Sequence, residues 1–177
     1  MLRQFLPLEG AYAPFYFLQH SPIQKLIHAL KYQGKKKVAN WIAQQSATLI
    51  PKEHPVLQCD GIVPVPLHPS RQQIRGYNQV TGFGQYWANF LNVPYLDKLL
   101  LRKNQTKTLV RMSREARWEE VKNAFHIENN THFKHLLLVD DVITTGATLT
   151  ACGNALLNNV CDKISVMGMA YAQNILP

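Results

Sequence analysis

Asp140 and Asp141 stand side by side three residues ahead of Thr144-Thr145-Gly146-Ala147-Thr148. Two adjacent carboxylates at the tip of a strand can accept hydrogen bonds from the vicinal hydroxyls of a sugar, as acidic residues at such positions do for ribose. A turn rich in threonine and glycine that leads into a helix presents backbone N–H groups and hydroxyls to an anion, aided by the positive end of the helix dipole. Gly146 leaves room for the backbone to approach that anion closely. Val139 to Thr148 therefore combine a hydroxyl clamp with a cradle for one phosphate. The stretch has neither the spacing and lysine of a triphosphate P-loop nor the GxGxxG of dinucleotide folds.

The flanking elements must hold this loop at a sheet edge. Leu136 to Val139 form a continuous apolar run, the pattern of a strand buried on both faces of a parallel sheet. After the loop comes a helical stretch with Leu149, Leu156 and Leu157, and then a second strand, Ile164 to Met169. A crossover of this kind makes the two strands parallel and puts the loop at their carboxyl edge, where open α/β sheets bind ligands. Upstream, Gly10 to Phe17 read as a strand or extended segment. Ser21-Pro22 opens an amphipathic helix that ends near Gly34, and a second helix runs from about Val38 to Leu49. Gly61 to Pro66 predict a short strand that enters a proline-stiffened loop, Asn78 to Leu91 a further helix, and Leu99 to Leu101 another strand.

With 177 residues, 46% hydrophobic and 17% charged, the chain fits one globular domain. No apolar run approaches the roughly 20 residues of a membrane-spanning helix, and the start lacks the pattern of a secretory signal. A cytoplasmic protein without membrane contacts is expected. Cys59, Cys152 and Cys161 lie in no CxxC pair and read as buried thiols, so no metal cluster built from protein side chains is expected. The net charge of +8 is uneven: Arg102 to Phe125 hold seven basic and three acidic residues, a net +4. A phosphate-bearing partner follows, either a small polyphosphate or a nucleic acid. Trp118 is the one aromatic ring deep inside this segment, whereas a single-strand stacking groove alternates aromatics with basic residues.

Leu137 to Leu149 resemble the phosphoribosyl pyrophosphate (PRPP) signature of type I phosphoribosyltransferases. Together with His28 to Gly34, Pro64-Val65-Pro66-Leu67, Arg71, Arg75 to Gln79 and Thr106 to Phe125, the chain is similar to the competence protein F (ComF) and GntX-like branch of that superfamily. The resemblance implies an α/β fold with a Rossmann-like, mostly parallel sheet flanked by helices and a mobile hood at about 102–125. It makes 1–177 a single domain, with an N-terminal extension over 1–55 and the core over 56–177. Members commonly carry an N-terminal four-cysteine zinc element that has no counterpart here, which implies either a short form or a start site chosen late.

By the same resemblance, Asp140 and Asp141 bind the ribose hydroxyls, and Val142 and Thr144, Thr145, Gly146, Ala147 and Thr148 complete the PRPP loop around the 5′-phosphate. Pro66, Leu67 and His68 form the pyrophosphate loop, Arg71 and Arg75 neutralise the diphosphate, and Arg111, Arg114 and Arg117 belong to the hood. Mg²⁺ would be held through the substrate, with Asp140 and Asp141 as the protein's oxygen donors. Leu109 and Glu120 replace the glutamine and asparagine common in the family's hood. Two function classes follow. One is a Mg²⁺-dependent phosphoribosyltransferase that uses PRPP or ribose 5-phosphate. The other is a non-catalytic protein of DNA uptake that binds nucleotide, single-stranded DNA or DNA-processing proteins. The acceptor and self-association into a homo-oligomer stay open.

Overall fold

The computed structural model describes residues 6–102, 124–128 and 131–172. Its centre is a parallel sheet of β1 (Leu8–Tyr12), β2 (Phe15–Tyr16), β3 (Gly61–Pro64), β6 (Phe133–Ile143) and β7 (Cys161–Tyr171). The strand order is β1-β7-β6-β3, and β2 also pairs with β7. β6 and β7 run alongside each other from Phe133↔Cys161 to Ile143↔Tyr171, which confirms the parallel crossover expected from sequence. Beyond β3, the amide of Ile62 donates to Pro94 and its carbonyl accepts from Leu96. β4 (Leu100–Arg102) and β5 (Phe125–Ile127) form a separate antiparallel pair.

Both faces of the sheet are covered, and the side chains of β6 alternate between them. Leu137 and Val139 pack with α1 (Pro22–Tyr32), α2 (Lys37–Leu49) and α4 (Thr81–Leu91), around Trp87, Phe83 and Ile42. Leu136 and Leu138 pack on the other face with Leu149, Cys152 and Leu156 of α5 (Ala147–Leu157) and with Phe125 of β5. Burial on both sides explains why Leu136 to Val139 carry no polar residue. The first 55 residues supply β1, β2 and two of the helices on the first face. The three cysteines are free and buried.

α1 starts where the sequence predicts. Ser21 accepts from the amide of Gln24 at 3.1 Å, and Pro22 takes the first helical position. Loss of this cap in Ser21→Ala is expected to cost about 1 kcal/mol, readable as a lowered denaturant midpoint with an unchanged slope.

Three local expectations need correction. β6 does not stop at Val139: Asp140 pairs with Gly168 and Val142 with Ala170, so both aspartates sit in the strand's last third and not in a loop. Parallel pairing uses only backbone groups, so carboxylates at the strand end do not interrupt it. The proline-stiffened loop after β3 is short and gives way to α3 (Pro69–Arg75). His68 caps that helix by accepting from the amide of Ser70, Pro69 is pre-set for the first turn, and Gly76 closes it at φ 73°. α4 begins at Thr81 and not at Asn78, because the Asn78 side chain accepts from the amide of Val80 in a turn of its own.

Candidate functional site

A cleft of about 610 Å³ opens at the carboxyl ends of β3 and β6. Its floor comes from β6, which presents Asp140, Asp141 and Val142. One wall is Pro66, Leu67 and His68 with Arg71, Ile74 and Arg75 of α3, and Thr144 and Thr148 stand at the edge leading into α5. The structure thus brings together ten residues singled out from sequence. Thr145, Gly146 and Ala147 do not line the cleft but form the turn behind Thr144 and Thr148. Arg111, Arg114 and Arg117, with Leu109 and Glu120, lie outside the described residues.

The turn has the form that close approach to an anion requires. Gly146 takes φ 80°, a conformation that strains L residues with a side chain; as N-cap it has no side chain to offer α5, and the Thr145 hydroxyl accepts from the Ala147 amide at 3.5 Å. Thr144, Thr145 and Thr148 are exposed. Val65 extends the β3 ladder past Pro64 by donating to the Val139 carbonyl at 2.8 Å, which fixes the start of the Pro66–His68 loop against β6.

The carboxylates are not equivalent. Asp141 is buried and engaged through one oxygen: Lys31 Nζ lies 2.9 Å from Oδ2, and Gln79 Nε2 donates to the same oxygen at 2.5 Å. Asp140 is partly exposed, and one of its oxygens accepts from the Asp141 amide at 2.8 Å. Desolvation first, and then the neighbouring charge of Asp141, push Asp140 up from 3.8 to about 7. Raised in this way, the Asp140 carboxyl keeps a proton well above the usual carboxylate range, and in that form it can donate to a ligand hydroxyl as well as accept from one.

This shift has a consequence for stability. The folded chain holds a proton on Asp140 between about pH 4 and 7 that the unfolded chain has released, so this group's contribution is most favourable at acid pH and is lost as pH rises through that window. Asp140→Asn should therefore melt higher than the parent at pH 8, with the difference shrinking towards pH 4. Thermal unfolding at both pH values checks this.

A second layer comes from residues that the resemblance includes, in His28–Gly34 and Arg75–Gln79, but to which sequence reading gave no role. Lys31 and Tyr32 come from the end of α1 and line the cleft. Tyr77 donates its hydroxyl to the Leu30 carbonyl and anchors that end of α1, while Asn78 Nδ2 donates to the Val65 carbonyl at 2.9 Å and anchors the loop after β3. Gln79 accepts from Arg75 while donating to Asp141, so one buried amide ties α3 to the strand end. Four cationic side chains, Lys31, Arg71, Arg75 and Arg102, surround the two carboxylates, and a ligand with more than one negative charge fits this balance.

Known proteins give a context for this geometry. The chain is 33% identical over 161 residues to competence protein F of Haemophilus influenzae, covering 85% of this chain and 69% of that protein. The chain belongs to the competence protein F family. Members of the family similar to it include the DNA utilization protein YhgH of Salmonella typhimurium, 32% identical over 148 residues, and that of Escherichia coli K12, 31% identical. Each match covers 82% of this chain and 65% of the relative, so the chain spans just under two thirds of the YhgH proteins. No protein-family model matches the chain. Among solved structures, the glutamine PRPP amidotransferase of B. subtilis is 16% identical with a TM-score of 0.48, covering 81% of this chain and 26% of that one. The orotate phosphoribosyltransferase of Aeropyrum pernix is 12% identical with a TM-score of 0.40, covering 80% and 62%. Among the described residues, no helix of this competence protein F relative is long and apolar enough to cross a membrane.

Proposed function

We propose that the cleft binds PRPP or ribose 5-phosphate and that the chain is a Mg²⁺-dependent phosphoribosyltransferase acting in the cytoplasm. The observation that carries this reading is the meeting, in one cleft, of the carboxylate pair of β6, the threonines at the start of α5 and the cations of α1 and α3. In this reading Asp140 and Asp141 hold the ribose hydroxyls and the Thr144–Thr148 turn holds the 5′-phosphate. The Pro66–His68 loop, Arg71 and Arg75 receive the diphosphate. As the bond from C1 to the diphosphate weakens, the arginines and amides stabilise negative charge on the leaving group, and the fixed ribose keeps C1 aligned with the acceptor.

The donor set fits Mg²⁺. Asp140 offers a carboxylate not tied to a cation, whereas both partners of Asp141 Oδ2 are already in place. Hard oxygen donors, few in number, suit an ion that keeps most of its ligands as water and substrate oxygens. Bound there with the substrate, Mg²⁺ would supply positive charge to the departing diphosphate.

The names of the relatives, competence protein F and DNA utilization protein, favour a second reading. In it the same cleft binds a nucleotide or a single-stranded DNA end without transfer, and other proteins of DNA processing are partners. Calorimetric titration with PRPP, with and without Mg²⁺, followed by an assay for pyrophosphate release with a panel of bases and amines, separates the two. Mg²⁺-strengthened binding with release supports the transferase. Binding without release for any acceptor supports the second reading, and no binding of PRPP or ribose 5-phosphate refutes the first.

A further inference from the structure

α3 is joined to the rest of the site by few contacts. None of its residues is buried, and the bonds that cap it, between His68 and Ser70, stay within its own first turn. Among the described residues, the hydrogen bond and the ring contact by which α3 side chains reach another element both belong to Arg75. Its guanidinium lies 5.6 Å from the Tyr32 ring centroid, and it donates to Gln79 Oε1. A helix mounted in this way opens locally at little cost unless a side chain latches it.

Gln79, on the other side of that bond, is firmly held. It is 8% exposed and follows a turn in which Asn78 Nδ2 donates to the Val65 carbonyl at 2.9 Å and Asn78 Oδ1 accepts from the Val80 amide at 3.3 Å. One residue earlier, the Tyr77 hydroxyl donates to the Leu30 carbonyl, with the Lys36 ammonium 4.7 Å from the tyrosine ring. The Gln79 backbone is thereby set against the end of α1 and the loop after β3. Its amide has one favourable orientation: Nε2 donates to Asp141 Oδ2 at 2.5 Å while Oε1 faces Arg75, and a half-turn would oppose donor to donor and acceptor to acceptor. Lys31 holds the same Asp141 oxygen at 2.9 Å, so the carboxylate keeps an anchor when Gln79 is changed.

We propose that Gln79 is a positioning residue of the cleft, whose amide takes its bearing from Asp141 and fixes Arg75, and through Arg75 the otherwise unpacked α3, relative to the carboxylate pair. The arm that would receive a diphosphate is thus aligned with the clamp that would receive the ribose. Gln79 acts here through Arg75 and not by touching a ligand. What α3 receives rests on the phosphoribosyl reading of the cleft, whereas the latch does not.

Two measurements on the full chain test this. The first needs no ligand. In Gln79→Met, which keeps side-chain length and net charge but removes both bonds, hydrogen exchange should quicken about tenfold at the amides of Gln72 and Gly76, which bond to the carbonyls of His68 and Gln72. Exchange along β6 and β7 should not change. Unaltered exchange in α3 overturns the latch, and a rise across the whole sheet replaces it with a general structural role.

The second measurement is calorimetry with inorganic pyrophosphate and with ribose 5-phosphate, each with Mg²⁺. Gln79→Met should weaken pyrophosphate binding about tenfold and ribose 5-phosphate binding by less than about threefold. In an Arg75→Met background it should cost pyrophosphate nothing further, because a residue that acts through Arg75 has no effect without it. Equal losses for the two probes, or an undiminished loss in the Arg75→Met background, overturn the assignment. A parent chain that binds neither probe, with an α3 that still loosens in Gln79→Met, keeps the latch and overturns the phosphoribosyl reading.

Discussion

Asp140→Asn combined with Asp141→Asn is expected to remove measurable affinity for ribose 5-phosphate and PRPP while the chain stays folded. A hydrogen bond to a charged acceptor contributes about 1.5–3 kcal/mol, so loss of both charges should weaken binding by roughly two to four orders of magnitude. The substitutions keep the shape of the side chains. The first relieves the cost of a carboxylate held out of water, and the second leaves an amide oxygen within reach of Lys31 and Gln79. Titration beside a thermal melt separates lost binding from lost structure. Unchanged affinity in the double variant, with the parent binding, would take the ribose off these residues.

Gly146→Val should be nearly as damaging by a different route. At φ 80° a β-branched residue is far from its allowed regions, and holding it there costs on the order of 1–3 kcal/mol. Relaxation of that strain moves the turn that carries Thr144, Thr145 and Thr148, and the added methyls stand where, in the proposed reading, the backbone comes close to a phosphate. We expect loss of ribose 5-phosphate binding together with a lowered melting temperature. Gly146→Ala should give a smaller effect of the same sign. A folded valine variant that binds ribose 5-phosphate like the parent would place the phosphate elsewhere.

The parts of the site that were legible in the sequence are local ones. The apolar run before Asp140, the threonine-glycine turn and the crossover to a second apolar strand fall within some thirty consecutive residues, and each signal is set by neighbours along the chain. Lys31 and Gln79 carry no such signal. Lys31 is a basic residue in the last turn of a helix, where dipole complementarity alone accounts for it, and nothing local ties it to an aspartate 110 positions later. α3 was hidden because its start is capped by histidine, an unusual N-cap, and because it buries nothing and so shows no apolar stripe. Pro69 followed by Gly76 was the available clue. The end of β6 was misplaced because acidic residues are rare in strands, and the backbone pairing of Asp140 with Gly168 does not depend on side-chain type.

The pairing of β1 with β7 joins Leu8 to Ile164, almost the two ends of the described chain. During synthesis β1 must wait for β7, and at ribosomal speeds of about 5–20 residues per second that interval is roughly eight to thirty seconds. Throughout it, the amides and carbonyls of Leu8–Tyr12 lack their partner strand, and β6, once made, has one flank open until β7 follows. The sheet, and with it the cleft at its carboxyl edge, is completed only once β7 has left the ribosome. A newborn chain is therefore a template for unwanted strand addition long before it can hold a ligand, and its yield in the cell should respond to chaperone supply more than to ligand supply.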